Sequence, residues 1–192
     1  AGVDGLVLLT AGAGGQTGWA NGLAFVRAVR EFYDGPVVLA GGVSDGTALL
    51  AAQVAGCDLG YMGTKFIATD ESMADARYKQ MLVDSQLDDV LLSRAFTGLE
   101  TNTLIPSIVA AGLDPKALPD DMTEERAAAL YGSGGETHIR RWRDIWSAGH
   151  SVSGVSSQGS VAALVKKTEN EYQTAIKESL KWMTRSEERR VG

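Results

Sequence analysis

Pro36-Val37-Val38-Leu39-Ala40-Gly41-Gly42-Val43-Ser44-Asp45-Gly46 is the stretch that decides the fold. Four apolar residues run without alternation, the pattern of a strand buried on both faces of a parallel sheet. Two glycines break the run, and Asp45 stands where a helix N-cap belongs. The stretch therefore reads as a strand turning tightly into a helix. Similar apolar runs lie on either side, in Gly5-Leu6-Val7-Leu8-Leu9-Thr10 and Asp58-Leu59-Gly60-Tyr61-Met62. Between the first two, Ala20–Tyr33 carries Leu23, Phe25, Val26, Val29, Phe32 and Tyr33 at helical spacing. The second helix, opened by Asp45, carries Leu49, Leu50, Val54 and Ala55 and stops at Gly56. Such β-α-β-α-β units wind right-handed, into an open doubly wound sheet or a (β/α)8 barrel.

Further along, a helix is predicted over 72–84, and Asp89-Val90-Leu91-Leu92 reads as a fourth strand leading into 93–103. From Leu104 the character becomes helical, with stretches over 104–112, 123–131 and 161–182. A flexible joint at Gly132–Gly135 and a Ser/Gly-rich loop at Ser147–Gly159 separate them. Four strands cannot close a barrel of eight. The expected fold is therefore α/β: the C-terminal half of a (β/α)8 TIM barrel, about four parallel strands over 1–103, with a helical C-terminal region over 104–184. The chain opens on Ala1 and runs at once into a buried strand, so it reads as a fragment whose N-terminal half-barrel is missing. Residues 185–192 have no apolar periodicity, look like a translated sequencing adapter, and are expected to be a frayed tail without a role.

Composition narrows the function. Of 192 residues, 44% are hydrophobic and 22% charged, as in soluble globular proteins. The 18 basic and 24 acidic residues give a net charge of −6, which argues against nucleic acid or an anionic membrane as partner. No apolar run is long enough to span a bilayer. A single cysteine, Cys57, rules out an internal disulfide framework and points to the reducing cytoplasm. Two histidines, His138 and His150, leave little for a metal site, and none is expected. Cys57 itself reads as a small buried apolar residue.

Glycine is abundant, 23 residues, and three of its clusters follow the three strands. Ala11-Gly12-Ala13-Gly14-Gly15-Gln16-Thr17-Gly18 is a near miss for the dinucleotide fingerprint, with Thr17 where the third glycine belongs. The other two are Ala40–Gly46 and Tyr61-Met62-Gly63-Thr64-Lys65-Phe66. Glycines let a backbone approach an anion closely, and successive N–H groups form a cradle for it. A helix N-terminus behind the turn adds its dipole. Two such loops on neighbouring strands predict two walls of a phosphate site at one end of the sheet. Tight turn chemistry without a ligand would leave the same trace.

With those loops in view, the chain resembles the nitronate monooxygenase family, FMN-dependent (β/α)8 enzymes with quinone- and enoyl-reductase relatives. The resemblance spans residues 1–184. It rests on Ala13–Gly18, on Val38–Gly46, on Tyr61–Thr69, and on Trp142–His150, which resembles the family's Ser-x-Gly-Gln turn near the flavin. It implies FMN as cofactor. The Gly14 backbone would contact the flavin, Gly41 and Gly42 one side of its phosphate, and Tyr61, Met62, Gly63 and Thr64 the other. The implied activity is oxidation of alkyl nitronates with molecular oxygen, with a small molecule and O2 as partners. Alternatives are an NAD(P)H-dependent FMN reductase acting on quinones or enoyl thioesters, and a noncatalytic flavin- or phosphate-binding member. A colourless phosphosugar-type barrel enzyme would share the two walls.

The chain departs from the family at Gln16, where many members carry a histidine beside the flavin. A histidine can take a proton near neutral pH and an amide cannot, although an amide still donates and accepts hydrogen bonds. Gln16 is thus the candidate catalytic residue at that position. His150, after the flavin-proximal turn, is a second candidate or a loop histidine bonded to backbone. Trp142 and Trp146, four apart, are expected on a helix that covers the barrel. Arg140, Arg141 and Arg143 are expected on a solvated helix face, and Asp120, Asp121, Glu124 and Glu125 at a solvated helix start.

Overall fold

The computed structural model describes residues 2–188, with side chains through 181. Its centre is a parallel sheet of β1 (Leu6–Leu9), β3 (Val37–Ala40) and β4 (Leu59–Tyr61), in the order β1-β3-β4. Leu9 pairs with Ala40 and Ala40 with Tyr61, so the three strands end level with one another. Crossover helices α1 (Gly22–Arg30) and α2 (Gly46–Ala55) join them. Each is started by a side-chain cap, Asn21 on the N–H groups of Leu23 and Ala24, and Asp45 on that of Ala48. Gly56, in the left-handed region, ends α2 as predicted.

One face of this sheet is covered. Leu8, Val37 and Leu39 pack against Val26 and Val29 of α1, Ala52 of α2, and Cys57, which is buried as expected of a small apolar residue. The other face is open: Val7, Leu9, Leu59 and Tyr61 are exposed, 61% and 63% for Val7 and Tyr61. The continuous apolar runs predicted burial on both faces. Among the described residues nothing covers the second one.

The fourth strand needs correction. Residues 90–93 do form a strand, β5 (Val90–Ser93), but it does not join the parallel sheet. It pairs antiparallel with β6 (Thr101–Leu104), which pairs antiparallel in turn with β2 (Gly15–Gln16). So, among the described residues, the parallel strands number three, not four. The cause lies in β6, a Thr-Asn-Thr-Leu segment with no apolar pattern whose four residues are all buried. Its polar side chains are satisfied internally, which a hydrophobic-periodicity reading does not see.

The remaining helices are α3 (Thr64–Ile67), α4 (Ala76–Asp84), α5 (Ile105–Ala110), α6 (Glu124–Tyr131) and α7 (Val161–Glu188). Thr123 caps α6, whose first turn carries the exposed Glu124 and Glu125. Helix α7 runs through Glu188, so residues 185–188 are helical rather than frayed, while 189–192 lie outside the described residues. A second correction concerns 140–146. No helix forms there; the segment is a tight loop, with Trp146 buried and Trp142 exposed. None of its arginines sits on a helix face. No helix among the described residues is long and apolar enough to cross a membrane.

Helix α7 lies directly on α2. A Cβ at Gly46 would run into the backbone of Thr168, Glu171 and Tyr172. Glu171 accepts the Gly46 N–H at 3.1 Å, and the Tyr172 hydroxyl donates to the Gln53 side chain. Gly46→Ala is expected to force the two helices apart and destabilise the protein by about 1–3 kcal/mol. Urea unfolding of the variant beside wild type measures it, and an unchanged midpoint would contradict this packing.

Candidate functional site

Because β1, β3 and β4 end level, the turns that follow them meet at one end of the sheet. They enclose a cavity of about 570 Å3. Its walls include Gly12–Gly15 after β1, Ala40–Val43 after β3, and Tyr61, Gly63 and Thr64 at the end of β4. Val7 and Leu9 of the open sheet face, Ile67, Tyr78, Trp142, Ser147 and Ser151 complete it. Gly14, Gly41, Gly42, Tyr61, Gly63 and Thr64 are therefore brought together. Met62 is not a wall; its side chain packs with the core cluster beneath the sheet.

The turns are held by main-chain contacts. A Cβ at Gly14 would lie 2.6 Å from Gly149 N, so only glycine lets the 147–149 segment come this close. That segment is docked from both sides. The His150 N–H donates to Gly12 O at 3.0 Å, and the Gly149 N–H to Thr64 Oγ1 at 3.0 Å. The Thr64 hydroxyl therefore spends an acceptor site on the scaffold and keeps its own proton to donate. From beneath, buried Asn102 donates through Nδ2 to Ala11 O at 2.9 Å and Ala13 O at 2.7 Å, fixing the turn after β1. Lys65 is buried too and donates from Nζ to Ser44 O at 2.6 Å, tying the β3 turn to α3. Desolvation pulls its ammonium below the usual lysine range, the nearby Glu171 opposing. Sequence reading missed both residues; the signal available for Asn102 was a polar residue between two threonines in a β-rich segment.

What the walls offer is chemically narrow. Among the described residues, no turn or loop hydrogen bond uses the amide hydrogens of Gly42, Val43 or Gly63. A Cβ at Gly42 or Gly63 would meet nothing within 4 Å, so both face open space. These are free donors around an empty volume, the requirement for holding a phosphate or another oxyanion. The dipole of α2 contributes less than its position suggests, because Asp45 and Glu171 already sit on its first-turn N–H groups. No wall residue is a His, Asp, Glu, Lys or Arg. Burial pushes the Tyr78 phenol up to about 12, and its hydroxyl donates to Ser147 O, so Tyr78 is neutral at working pH and is no base.

Gln16 and His150 stand outside the walls. Gln16 pairs with Thr101 in β2 and is exposed, one residue beyond Gly15. His150 is exposed as well, and what binds it to the site is its main-chain N–H.

Fold and site together define an α/β protein whose parallel sheet ends in a glycine-walled cavity bordered by unpartnered amide donors. Residues 1–171 match the family model described as nitronate monooxygenase, and the chain belongs to that family. A probable nitronate monooxygenase of Staphylococcus haemolyticus is 30% identical over 118 residues, 58% of this chain and 32% of that protein. The nitronate monooxygenase of Paraburkholderia phytofirmans is 29% identical over 126 residues, 61% of this chain and 34% of that protein. Among solved structures, a nitroalkane oxidase from Streptomyces ansochromogenes superposes with a TM-score of 0.69 at 26% identity, over 92% of this chain and 54% of its own. FabK from Thermotoga maritima, at 21% identity, shares the fold with a TM-score of 0.72 over 94% of this chain and 58% of its own. The chain thus spans little more than half the length of these structures, and its matches cover about a third of the curated relatives.

Asn102→Ala would leave the two turn carbonyls without their buried donor. A loss of about 1–3 kcal/mol in urea unfolding is expected. Faster amide exchange should accompany it at Ala13, whose N–H bonds to Thr10 O inside that turn. Wild-type exchange there would show that Asn102 does not hold the turn.

Proposed function

We propose that this chain contributes the phosphate-binding side of an FMN-dependent oxidoreductase that oxidises alkyl nitronates with molecular oxygen. One observation carries the reading: three glycine turns converge on a cavity whose amide donors at Gly42, Val43 and Gly63 have no partner in the surrounding turns. A planar cofactor ending in a phosphate fits such a site. Gly41 and Gly42 would hold one side of the phosphate, Gly63 and the Thr64 hydroxyl the other, and the Gly14 main chain would meet the flavin. Tyr61 belongs to the same wall, while Met62 packs into the core beneath the sheet. Bound there, FMN would supply the electron acceptor and the site of reaction with oxygen. The apolar walls Val7, Leu9 and Ala40 would lie against it and shield it from water once the open face is covered.

Among the described residues no His, Asp, Glu, Lys or Arg forms a wall and Tyr78 stays neutral, which favours a substrate that arrives already ionised. A nitronate needs no proton removed, whereas a neutral nitroalkane does. Gln16, one residue beyond the wall residue Gly15, would donate an N–H to a nitro oxygen, with His150, next to Gly149, as a second polar candidate. The exposed faces of β1, β3 and β4 support the remaining part of the reading. In a parallel sheet both faces are normally covered, so the uncovered Val7, Leu9, Leu59 and Tyr61 call for further strands, an N-terminal half-barrel that would also contact the flavin.

The reading predicts a yellow protein when this chain is present with the strands that complete its barrel. It should consume oxygen with ethyl nitronate and need no nicotinamide. Bleaching by NAD(P)H with no response to nitronates would replace it with the reductase reading; a flavin oxidised under all conditions would make this a noncatalytic member. The 192-residue chain alone should bind FMN weakly, and tight stoichiometric uptake in a fluorescence titration would contradict the need for the other half.

Two variants probe the residues. Gly63→Asp places a carboxylate in open space without backbone strain and should weaken FMN binding at least about tenfold at unchanged stability. Gln16→His should raise the rate on neutral nitroalkane, by up to about 10²-fold, and leave the rate on nitronate nearly unchanged. No gain on the neutral substrate would argue against the missing base.

A further inference from the structure

Trp142 is the one non-glycine residue with positive φ among the described residues, at +71°. For a bulky side chain this is an unfavourable backbone conformation that the surroundings must enforce. They do so through the loop 140–146. The Trp142 N–H donates to Ile145 O at 3.2 Å, and the N–H groups of Arg143 and Asp144 both reach Arg140 O. Asp144 Oδ2 accepts the Arg140 N–H at 2.8 Å. The Arg140 guanidinium donates to the carbonyls of Thr137 and Gly135, fastening the turn before the loop. At its far end Trp146 is buried and stacked on Tyr78, centroids 5.0 Å apart and planes 11° from parallel.

Packing does not explain why tryptophan occupies this strained position. Trp146 is 6% exposed, Trp142 55%. What Trp142 does is form a wall of the glycine-turn cavity, on a part of its lining that also holds Tyr78 and Ser147. A hydrogen-bonded loop thus holds a half-exposed tryptophan, with a left-handed backbone, in the lining of the cavity. Flat rings are suited to offset stacking on other flat π systems.

We propose that Trp142 is a specificity-determining residue of this cavity, its indole being the stacking surface for a planar conjugated group. The proposal rests on the reading that the cavity holds a flavin and admits a nitronate. Both are planar, so the test separates them. The 192-residue chain is compared as wild type, Trp142→Phe and Trp142→Gly, titrated calorimetrically with FMN and with the nitronate of phenylnitromethane. The Gly variant suits the left-handed backbone, so its melting temperature should stay within about 2 °C of wild type. It should bind at least one probe about tenfold more weakly, while Trp142→Phe stays within about threefold. The probe that loses affinity identifies the stacking partner.

Binding of both probes to Trp142→Gly within twofold of wild type overturns the proposal. So does the absence of saturable binding to wild type, or a fall of more than about 8 °C in melting temperature shared by both variants, which marks a packing residue. If Gly63→Asp binds both probes like wild type while Trp142→Gly loses one, the phosphate-site reading fails and the stacking role stands.

Discussion

The site depends on backbone meeting backbone. Turns from three parts of the chain approach within hydrogen-bonding distance around Gly12, Gly14, Gly41 and Gly149, where a side chain has no room. Such closeness requires that the strands behind the turns end level, which the pairings Leu9 with Ala40 and Ala40 with Tyr61 ensure. It also requires that the main-chain polar groups turned inward, carbonyls and an N–H alike, be satisfied. Asn102, Thr64 and Lys65 do that, each buried and each bonded to a main-chain atom of a different segment. The polar interior beneath the cavity is thus the scaffold of the cradle rather than its working surface.

The same architecture divides the sheet into two unlike faces. Beneath, α1 and α2 bury Leu8, Val37 and Leu39 in an ordinary apolar core. Above, a row of apolar side chains stays uncovered and leads into the cavity lined by Val7 and Leu9. Each strand thus has a structural side and a side that belongs to the ligand space. That division is why the cavity is apolar along its floor and has its free donors at the turns.

Much of this was legible beforehand. The continuous apolar runs at 6–9, 37–40 and 59–61, the caps at Asp45 and Gly56, and the glycines that follow the strands gave the β-α-β-α-β order and the convergence of its turns. All are local signals. The second sheet was not legible, because Gly15–Gln16 is too short to show a period, and Thr101–Leu104 is a buried strand whose stability comes from paired polar groups. The loop 140–146 was misread for a related reason: two tryptophans four apart match a helix, but the conformation is set by Arg140 and Asp144 bonding across the loop, which spacing does not encode. Asn102 and Lys65 act through partners 89 and 21 residues away and leave no local pattern at all.

The electrostatics of the cradle follow from the same economy of charge. An anion placed there would meet neutral N–H groups and hydroxyls; Lys65, close by in sequence, turns its ammonium to Ser44 O, and Asp45 and Glu171 already hold the start of α2. Oriented amides in an apolar surround stabilise an oxyanion without adding a titratable group, so their contribution does not vary across the neutral pH range. A site built this way gains selectivity from shape: the spacing of the turns decides which anion reaches all the donors. Besides the glycine turns, the aromatic residues Tyr61, Tyr78 and Trp142 are part of its lining.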